Sequence, residues 1–219
     1  MQTRKDSLEN GQIYHILNKS IAGYEVFNNN IDYQRIIDTV KYYQRYPVPI
    51  KYSELNRLSI EIREQVLQNV FKQQKIVEIV AYCIMPSHFH FVIKQLSDRG
   101  ISSMMSCIEN SYARYFNTKH KRLGPLWAGR FKSVHIKDSD QLYHLTRYIH
   151  LNPVSANLVD KPENWKYSSY KEYISKHNDF GICDFNNLLA IRSSNYKQFV
   201  EYRIAYQKQI SKIKKLLLD

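Results

Sequence analysis

The sequence predicts an α+β fold in which helices lie on one face of an antiparallel sheet. Hydrophobic residues make up 43% of the 219 residues, enough to bury a core, and Gly and Pro occur only six times each, which argues against disorder. Two apolar segments separated by the turn Pro86-Ser87 indicate a β-hairpin in the middle of the chain. Segments with helical spacing flank this hairpin, and the length fits one domain with additions.

The first part of the chain predicts a strand, a helix and an insertion. Residues 12–17 are typical of a strand, and apolar residues recur at helical spacing between Asn30 and Tyr43. Residues 46–75 contain two prolines, followed by a short helical pattern that begins at Ser59. Because this segment interrupts a simpler order of strands and helices, we interpret 46–75 as an insertion with a helix of its own.

The hairpin that follows is predicted to lie at the centre of the sheet. Residues 76–85 are apolar on both faces apart from Glu78, as expected of a central strand, and 88–95 form its partner. The next segment, 101–119, has one apolar stripe and predicts a long helix.

The last predicted elements of the domain are a strand at 130–136 and a helix from Ser139. This helix is expected to end near Asn152, because Pro153 disfavours helix in the residue before it. The resulting order, β-α-(insertion)-β-β-α-β-α, contains the split β-α-β pattern of a ferredoxin-like sheet.

The domain is predicted to span residues 1–175, and 176–219 are predicted to form a C-terminal helical extension. A terminal helix is expected from about Asn195. Its lysines could face DNA or simply solvent: Lys208, Lys212, Lys214 and Lys215.

The charge of the chain favours nucleic acid as a partner. Lys and Arg exceed Asp and Glu by 32 to 20, a formal net charge of +12, and such a surplus attracts polyanions. The 18 tyrosines, interleaved with basic residues, suit stacking on unpaired bases, although most are expected to be packing residues. A basic surface that serves solubility alone is the alternative.

The cysteines and the apolar runs indicate a cytoplasmic protein. Cys83, Cys107 and Cys183 are odd in number and form no CxxC pair, which argues for a reducing compartment and against a zinc knuckle. The N-terminal residues lack the apolar core of a signal peptide, and no run reaches membrane-spanning length.

Two histidines on one predicted strand are candidate metal ligands. His88 and His90 are two residues apart, so both side chains project from the same face, whereas Phe89 and Phe91 point to the opposite one. Two imidazoles above an apolar layer are a plausible platform for a divalent metal ion. A pair of half-buried histidines with ordinary hydrogen bonds is the alternative, and two histidines alone are a weak motif.

The last helix of the domain carries a polar stripe formed by His144, Tyr148 and Asn152 at i, i+4 and i+8. Asn152 offers a carbonyl oxygen as a hard ligand, one turn from the hydroxyl of Tyr148. A tyrosine can attack a phosphate if a metal ion stabilises the charge that develops, since its hydroxyl is protonated below roughly pH 10. Spacing alone does not separate Tyr148 from Tyr143 or Tyr112.

Several motifs together resemble a known family, the single-tyrosine (HUH-type) transposases of bacterial insertion sequences. The segments that carry the resemblance are IYHILNKS, IMPSHFHFVIK, SYARYFNTKHKRLGPLWAGRFKS and LTRYIHLNPVSANLV. They occur in the family's order over about residues 12–175, excluding roughly 46–75, and are most similar to the branch of REP-associated tyrosine transposases.

The resemblance implies a catalytic domain at 1–175 that cleaves single-stranded DNA, expected here at hairpin-forming repeats. The family's histidine–hydrophobic–histidine metal motif maps onto His88, Phe89 and His90, its nucleophile onto Tyr148, and its third ligand onto Asn152. Members use magnesium or manganese and form a 5′-phosphotyrosine link while releasing a 3′-hydroxyl. The insertion and the extension inherit no role.

Other residues are expected to contact DNA: Arg130, Lys132, Trp127, Arg147, Arg114, Lys119, Lys121, Arg122, Asn18 and Lys19. A tryptophan between Leu126 and Ala128 is equally typical of a core, and the cations of 114–122 lie near a helix end, where the macrodipole favours them in any case.

Three other functions remain open on the sequence alone. They are a domesticated transposase that binds nucleic acid without catalysis, a replication-initiator or relaxase nickase with the same chemistry, and a ferredoxin-like RNA binder with aromatics in place of His88 and His90. The protein is expected at the nucleoid, as a monomer or a homodimer.

Overall fold

The computed structural model describes residues 7–175, 181–185, 188 and 193–209. Its sheet is formed by β1 (Ile13–Lys19), β2 (Val77–Met85), β3 (His88–Gln95) and β4 (Lys132–Ile136), in the order β2-β3-β1-β4. Each neighbouring pair is antiparallel. The two strands of the hairpin are thus combined with β1 and β4 as in a ferredoxin-like sheet, and the predicted fold class is confirmed.

The helices in the described residues follow the predicted order. They are α1 (Asn30–Tyr43), α2 (Ile60–Lys72), α3 (Gly100–Lys119), α4 (Ser139–Ser155), α5 (Tyr170–Ile174) and α6 (Ser193–Glu201). No helix in this part of the chain is both long and apolar enough to cross a membrane.

One face of the sheet is covered by α1 and α3. Tyr14 and Ile16 of β1 and Phe89 and Phe91 of β3 alternate with residues of the other face, and they are buried in one cluster with the apolar sides of these two helices. The long helix α3 contributes Met105 and its neighbours to this cluster. Because aromatic and aliphatic side chains fill this layer, it forms the larger core of the protein.

The opposite face of the sheet is partly covered by α4. Val92 of β3 and Cys83 of β2 pack with Leu142 and Ile149 of this helix in a second buried cluster. The side chain of Asp138 caps the helix by accepting a hydrogen bond from the backbone N–H of Gln141 at 2.7 Å. The sheet therefore has a helix on the face that the two histidines share.

Helix α4 is longer than the sequence predicts, since it continues through Pro153 to Ser155. Proline removes one backbone donor and crowds the preceding turn. Here Pro153 and Val154 are buried, and the N–H of Ala156 still donates to the carbonyl of Asn152 at 2.9 Å. Packing of the last turn against the second core offsets the lost hydrogen bond.

The insertion packs beside α1 on the side of the larger core. It contains the 3-10 helix Tyr52–Arg57 and α2, whose cap Ser59 accepts a hydrogen bond from the N–H of Ile62 at 3.4 Å. The insertion is attached through the hydroxyl of Tyr43, which accepts a hydrogen bond from the N–H of Tyr52 at 3.0 Å. The predicted helix is thus present, on the far side of the sheet from α4.

The described part of the C-terminal extension packs against α4. His150 of α4 is fully buried, and its two ring nitrogens lie 2.7 Å from the hydroxyl of Tyr196 on α6 and 2.8 Å from the hydroxyl of Ser169. Of the extension's lysines, Lys208 is 3.9 Å from Asp160, and Lys212, Lys214 and Lys215 lie outside the described residues.

Candidate active site

Three histidines meet on the face of the sheet that α4 partly covers. The rings of His88 and His90 are 5.1 Å apart and nearly perpendicular. His15 of β1 stacks on His90 at 5.2 Å, with its Nε2 atom 2.9 Å from Nδ1 of His90. The alternation of the two strands therefore places three imidazoles side by side, as predicted for His88 and His90.

Burial keeps these imidazoles neutral. It lowers the pKa of His90 well below its ordinary value, and the pKa of His15 to about 4. The pKa of His88 is lowered by burial and, to a lesser extent, by the nearby charge of Lys19. At neutral pH each ring is then uncharged and keeps a lone pair on one nitrogen. This neutral form of histidine is the one that binds metal ions.

Tyr148 is the tyrosine that α4 places beside the histidines. Its ring centroid lies 6.1 Å from that of His90, and 42% of the residue is exposed. Burial of the remainder raises the pKa of its phenol, so the hydroxyl is protonated at neutral pH.

The other two candidates lie elsewhere. Tyr143 stacks on Phe199 at 3.9 Å, and Tyr112 is fully buried in the larger core, where its hydroxyl donates to the carbonyl of Val26 at 2.6 Å. Of the three tyrosines that spacing left open, Tyr148 is thus the one near His90 with a partly exposed side chain.

Asn152 follows one turn after Tyr148 on the same helix. Its side-chain nitrogen Nδ2 is buried and has no hydrogen-bond partner among the described residues. A buried amide without a partner costs free energy, and rotation of the amide by half a turn would place the carbonyl oxygen at the same point. A cation held at that point would satisfy this oxygen, so the side chain fits the role of a ligand.

The predicted donor set is two imidazoles and an amide. Within the described ranges, no group of three or more His, Cys, Asp or Glu side chains is arranged to hold a metal ion. A His–His–Asn set contains only two residues of those types, both histidines. Histidine nitrogen and amide oxygen bind ions of the magnesium and manganese class less tightly than carboxylates do.

Two of the predicted DNA contacts flank the histidines. Lys19 pairs with His88 across the strands β1 and β3, and Lys132 of β4 pairs with Leu17, the residue that also pairs with His90. Both lysines are exposed on this face. Arg130 is exposed in the segment that leads into β4.

Arg147 lies on α4 but is directed towards the extension. Its guanidinium is 4.1 Å from the ring centroid of Phe199 and lies 2.9 Å from Nδ1 of His144. These contacts hold Arg147 against α6.

Trp127 and Asn18 differ from the expectation of a DNA contact. Trp127 is 9% exposed, packs on Phe89 in the larger core and donates from Nε1 to the carbonyl of Glu109 at 3.0 Å. Asn18 is buried on the same side of the sheet and donates to Oε1 of Glu109 at 2.8 Å. Both side chains fill the interior. For Asn18 the reason is strand alternation, which directs this position away from the histidines.

The predicted basic cluster of α3 also lies away from the histidine face. Lys119 forms a 2.6 Å ion pair with the fully buried carboxylate of Asp32, and Arg122 donates to the carbonyl of Pro125 at 2.8 Å. Arg114 and Lys121 are exposed. These four cations therefore belong to the opposite side of the molecule.

His15 is a residue of the candidate site that the sequence motifs did not indicate. The signal was present, because the alternation of IYHILNK places His15 on the face opposite to Tyr14 and Ile16. What the sequence does not show is that β1 pairs with β3 in the register that brings His15 next to His90.

Comparison with known proteins shows the family of the chain. Residues 11–152 match the family model of IS200-like transposases, and this range includes His88, His90, Tyr148 and Asn152. A Haemophilus influenzae protein named after the REP-associated tyrosine transposases is 27% identical over 103 residues, and the match covers 42% of this chain and 58% of that protein.

A solved structure has the same fold. It is described as a REP-associated tyrosine transposase bound to a REP hairpin, and the superposition has a TM-score of 0.51 at 15% identity. It covers 84% of this chain and 98% of the other. Both proteins carry the name of the branch that the sequence motifs indicate. From the family match across β1 to α4, the chain belongs to the IS200-like transposases.

Proposed function

We propose that this protein cuts and rejoins single-stranded DNA through a covalent bond to Tyr148. The observation that carries the proposal is the position of Tyr148, 6.1 Å from the ring of His90 and partly exposed to solvent. A DNA strand laid across this face would meet a hydroxyl nucleophile and neutral imidazoles together.

His88, His90 and Asn152 would hold a divalent ion, magnesium or manganese. Support comes from the shared face of the two histidines, from their lowered pKa values and from the unpartnered buried amide of Asn152. When bound, the ion would draw charge from the scissile phosphate and stabilise the charge that develops during attack. Lys19 and Lys132 would bind neighbouring phosphates.

The proposed step is a transesterification. The phenolic oxygen of Tyr148 forms a bond to phosphorus while the bond from phosphorus to the 3′ oxygen breaks. The phenolic proton passes to water, which reaches Tyr148 through its exposed part, and the leaving 3′ oxygen takes up a proton from water. The product is a 5′-phosphotyrosine bond and a free 3′-hydroxyl, so rejoining is the reverse reaction and needs no ATP.

Hairpin DNA is the substrate class that we propose. The net charge of +12 favours a polyanion, and the relative of known structure is described as bound to a REP hairpin. Such a substrate would place the protein at the nucleoid in the cytoplasm. Tyr148 lies beside His90 of its own chain, which supports a site that a monomer completes, whether or not two copies associate.

The experiment that tests this proposal uses a pool of single-stranded hairpin oligonucleotides labelled at the 3′ end, with MnCl₂. Wild type is expected to form a labelled adduct on a denaturing gel that protease removes and chelation of the metal prevents. Tyr148→Phe should form none, and the matched control Tyr143→Phe should form it at the wild-type level. Binding of the pool by wild type without cleavage under any metal would support a non-catalytic DNA-binding protein instead.

A further inference from the structure

A second concave surface lies on the outer side of α1 and α3, on the far side of the sheet from the histidines. It is a cleft of about 810 Å³ walled by α1, by α3 and by the 3-10 helix Tyr52–Arg57 of the insertion. Six cationic side chains line it: Arg35, Lys51, Arg57, Arg63, Arg114 and Lys119. The acidic residues in its lining are Asp38 and Glu54, so positive charges exceed negative ones by 6 − 2 = 4.

Arg35 is built into the floor of this cleft. Its guanidinium carbon lies 4.4 Å from the ring centroid of Tyr52 and 5.3 Å from that of Tyr115, so one aromatic ring from the insertion and one from α3 hold it. Its Nε atom is buried and has no hydrogen-bond partner in the described part of the chain. Burial also lowers the pKa of Arg35, and nearby groups, Asp38 among them, only partly offset the loss of hydration.

A buried guanidinium donor without a partner is costly unless a ligand completes it. Ser111, which also lines the cleft, has a buried hydroxyl without a partner in the same part of the chain. Two residues with a buried, unpartnered polar atom, one of them cationic, therefore line one concave surface with excess positive charge. A planar guanidinium and neighbouring cations suit the oxygens of phosphate groups.

The other cations of the cleft are available to a ligand, with one exception. Lys119 is engaged by the buried carboxylate of Asp32 at 2.6 Å. Arg57, Arg63 and Arg114 form no ion pair among the described residues, and they come from three different elements around the cleft. Their spread over the rim suits a row of phosphates better than one small anion.

We propose that this cleft binds the phosphodiester backbone of DNA, as a second nucleic-acid contact on the side opposite to Tyr148. The insertion then supplies Arg57 and Arg63 to a DNA-binding surface. The choice of DNA rests on the proposed function, whereas the phosphate chemistry rests on the cleft alone. A strand or hairpin arm that extends beyond the cleavage site would be held here while the cleaved segment lies on the histidine face.

The test compares two triple variants that lose the same charge. The cleft variant is Arg57→Gln with Arg63→Gln and Arg114→Gln. The control variant changes three exposed lysines that lie outside the cleft and form no ion pair among the described residues, Lys72→Gln with Lys161→Gln and Lys166→Gln. Binding of the labelled hairpin pool is measured by fluorescence anisotropy with EDTA, which prevents cleavage, over a series of NaCl concentrations.

The cleft variant is expected to bind DNA about tenfold more weakly than wild type. The slope of its affinity against salt concentration should correspond to about two to three fewer released ions. The control variant is expected to bind within about twofold of wild type. At saturating DNA the cleft variant should still form the Tyr148 adduct. Equal binding by the two variants would overturn the proposal, as would a wild type that binds no DNA. If wild type shows cleft-dependent binding but forms no adduct, the nuclease proposal fails and the cleft proposal stands.

Discussion

The two ring nitrogens of His90 have different neighbours, and this difference matters for the chemistry of the site. Nδ1 lies 2.9 Å from Nε2 of His15, and both rings are neutral because burial lowers their pKa values. A neutral imidazole carries one proton, so if His90 donates from Nδ1 to His15, its Nε2 keeps the lone pair that a metal ion needs. His15 would thus fix the tautomer and the orientation of His90.

The first prediction concerns His15. His15→Leu removes the acceptor and is expected to weaken binding of Mn²⁺ to the DNA-free protein by about tenfold or more, as loss of a residue that orients a ligand usually does. His15→Gln keeps an acceptor oxygen and should recover part of the affinity. Isothermal titration calorimetry measures both, with thermal melting as a check on folding. Equal Mn²⁺ affinity in wild type and His15→Leu would show that His15 has a packing role alone.

At the scale of elements, the approach of α3 to the sheet depends on Gly100. A Cβ atom built on Gly100 would lie 2.4 Å from the backbone oxygen of Ile76, the residue before β2. The helix therefore begins where the chain passes close to another backbone segment, and a side chain has no room there.

The second prediction follows from this contact. Alanine favours helix over glycine by about 1 kcal/mol, but the clash with a backbone oxygen forces α3 to shift and outweighs that gain. Gly100→Ala is expected to lower the free energy of unfolding by about 2 kcal/mol in urea titrations. Gly129→Ala is the matched control, because no atom lies within 4 Å of its Cβ position. A Gly100→Ala protein as stable as this control would contradict the account.

The sequence predicted most elements because their periodicity is local. The apolar stripes of α1 and α3, and the apolar runs on either side of Pro86-Ser87, lie in the structure within one or two residues of their predicted bounds. The end of α4 was predicted too early, because the burial of Pro153 depends on a core that local pattern does not reveal.

The candidate site was predictable to the extent that strand and helix periodicity determine it. His88 and His90 share a face by alternation, and Tyr148 and Asn152 share a face by helical spacing. The choice of Tyr148 from the residues alone, the burial of Trp127 and the contact of His15 all depend on how distant segments pack. Such packing is a tertiary property that local patterns do not show. For Tyr148 alone, the resemblance of the motifs to a known family indicated the position.

At the scale of the whole molecule, one sheet separates two cores. The larger core lies under α1 and α3, and the second lies under α4, α5 and α6. His150 joins the helices of the second core, since its ring contacts the hydroxyls of Tyr196 and Ser169. The C-terminal extension thus supports the helix that carries Tyr148, and the proposed DNA cleft lies on the other side of the sheet.

The third prediction concerns the effect of acid on this arrangement. Burial lowers the pKa of His150 from 6.5 to about 3. Between these values the unfolded chain binds a proton at this residue and the folded protein does not, so the free energy of unfolding falls as the pH falls from 6.5 towards 3. This residue alone contributes a slope of about 1.4 kcal/mol per pH unit.

Urea titrations between pH 6 and pH 4.5 measure this slope. His150→Gln is expected to be less stable than wild type at pH 7 and to lose stability less steeply in acid, whereas His144→Gln, at an exposed position of the same helix, should keep the wild-type slope. Parallel slopes for His150→Gln and wild type would show that the buried ring is not the source of the acid sensitivity.

Mass spectrometry of the wild-type adduct tests the proposed covalent bond between Tyr148 and DNA. Trypsin cleaves after Arg147 and spares the bond between Lys161 and Pro162, so it releases the peptide 148–166. Tyr148 is the one tyrosine in this peptide, and Tyr143 lies in the separate peptide 138–147. After nuclease trimming of the DNA, we expect a nucleotide attached through a 5′-phosphate to the peptide 148–166. A nucleotide on the peptide 138–147 or on any other peptide would contradict it.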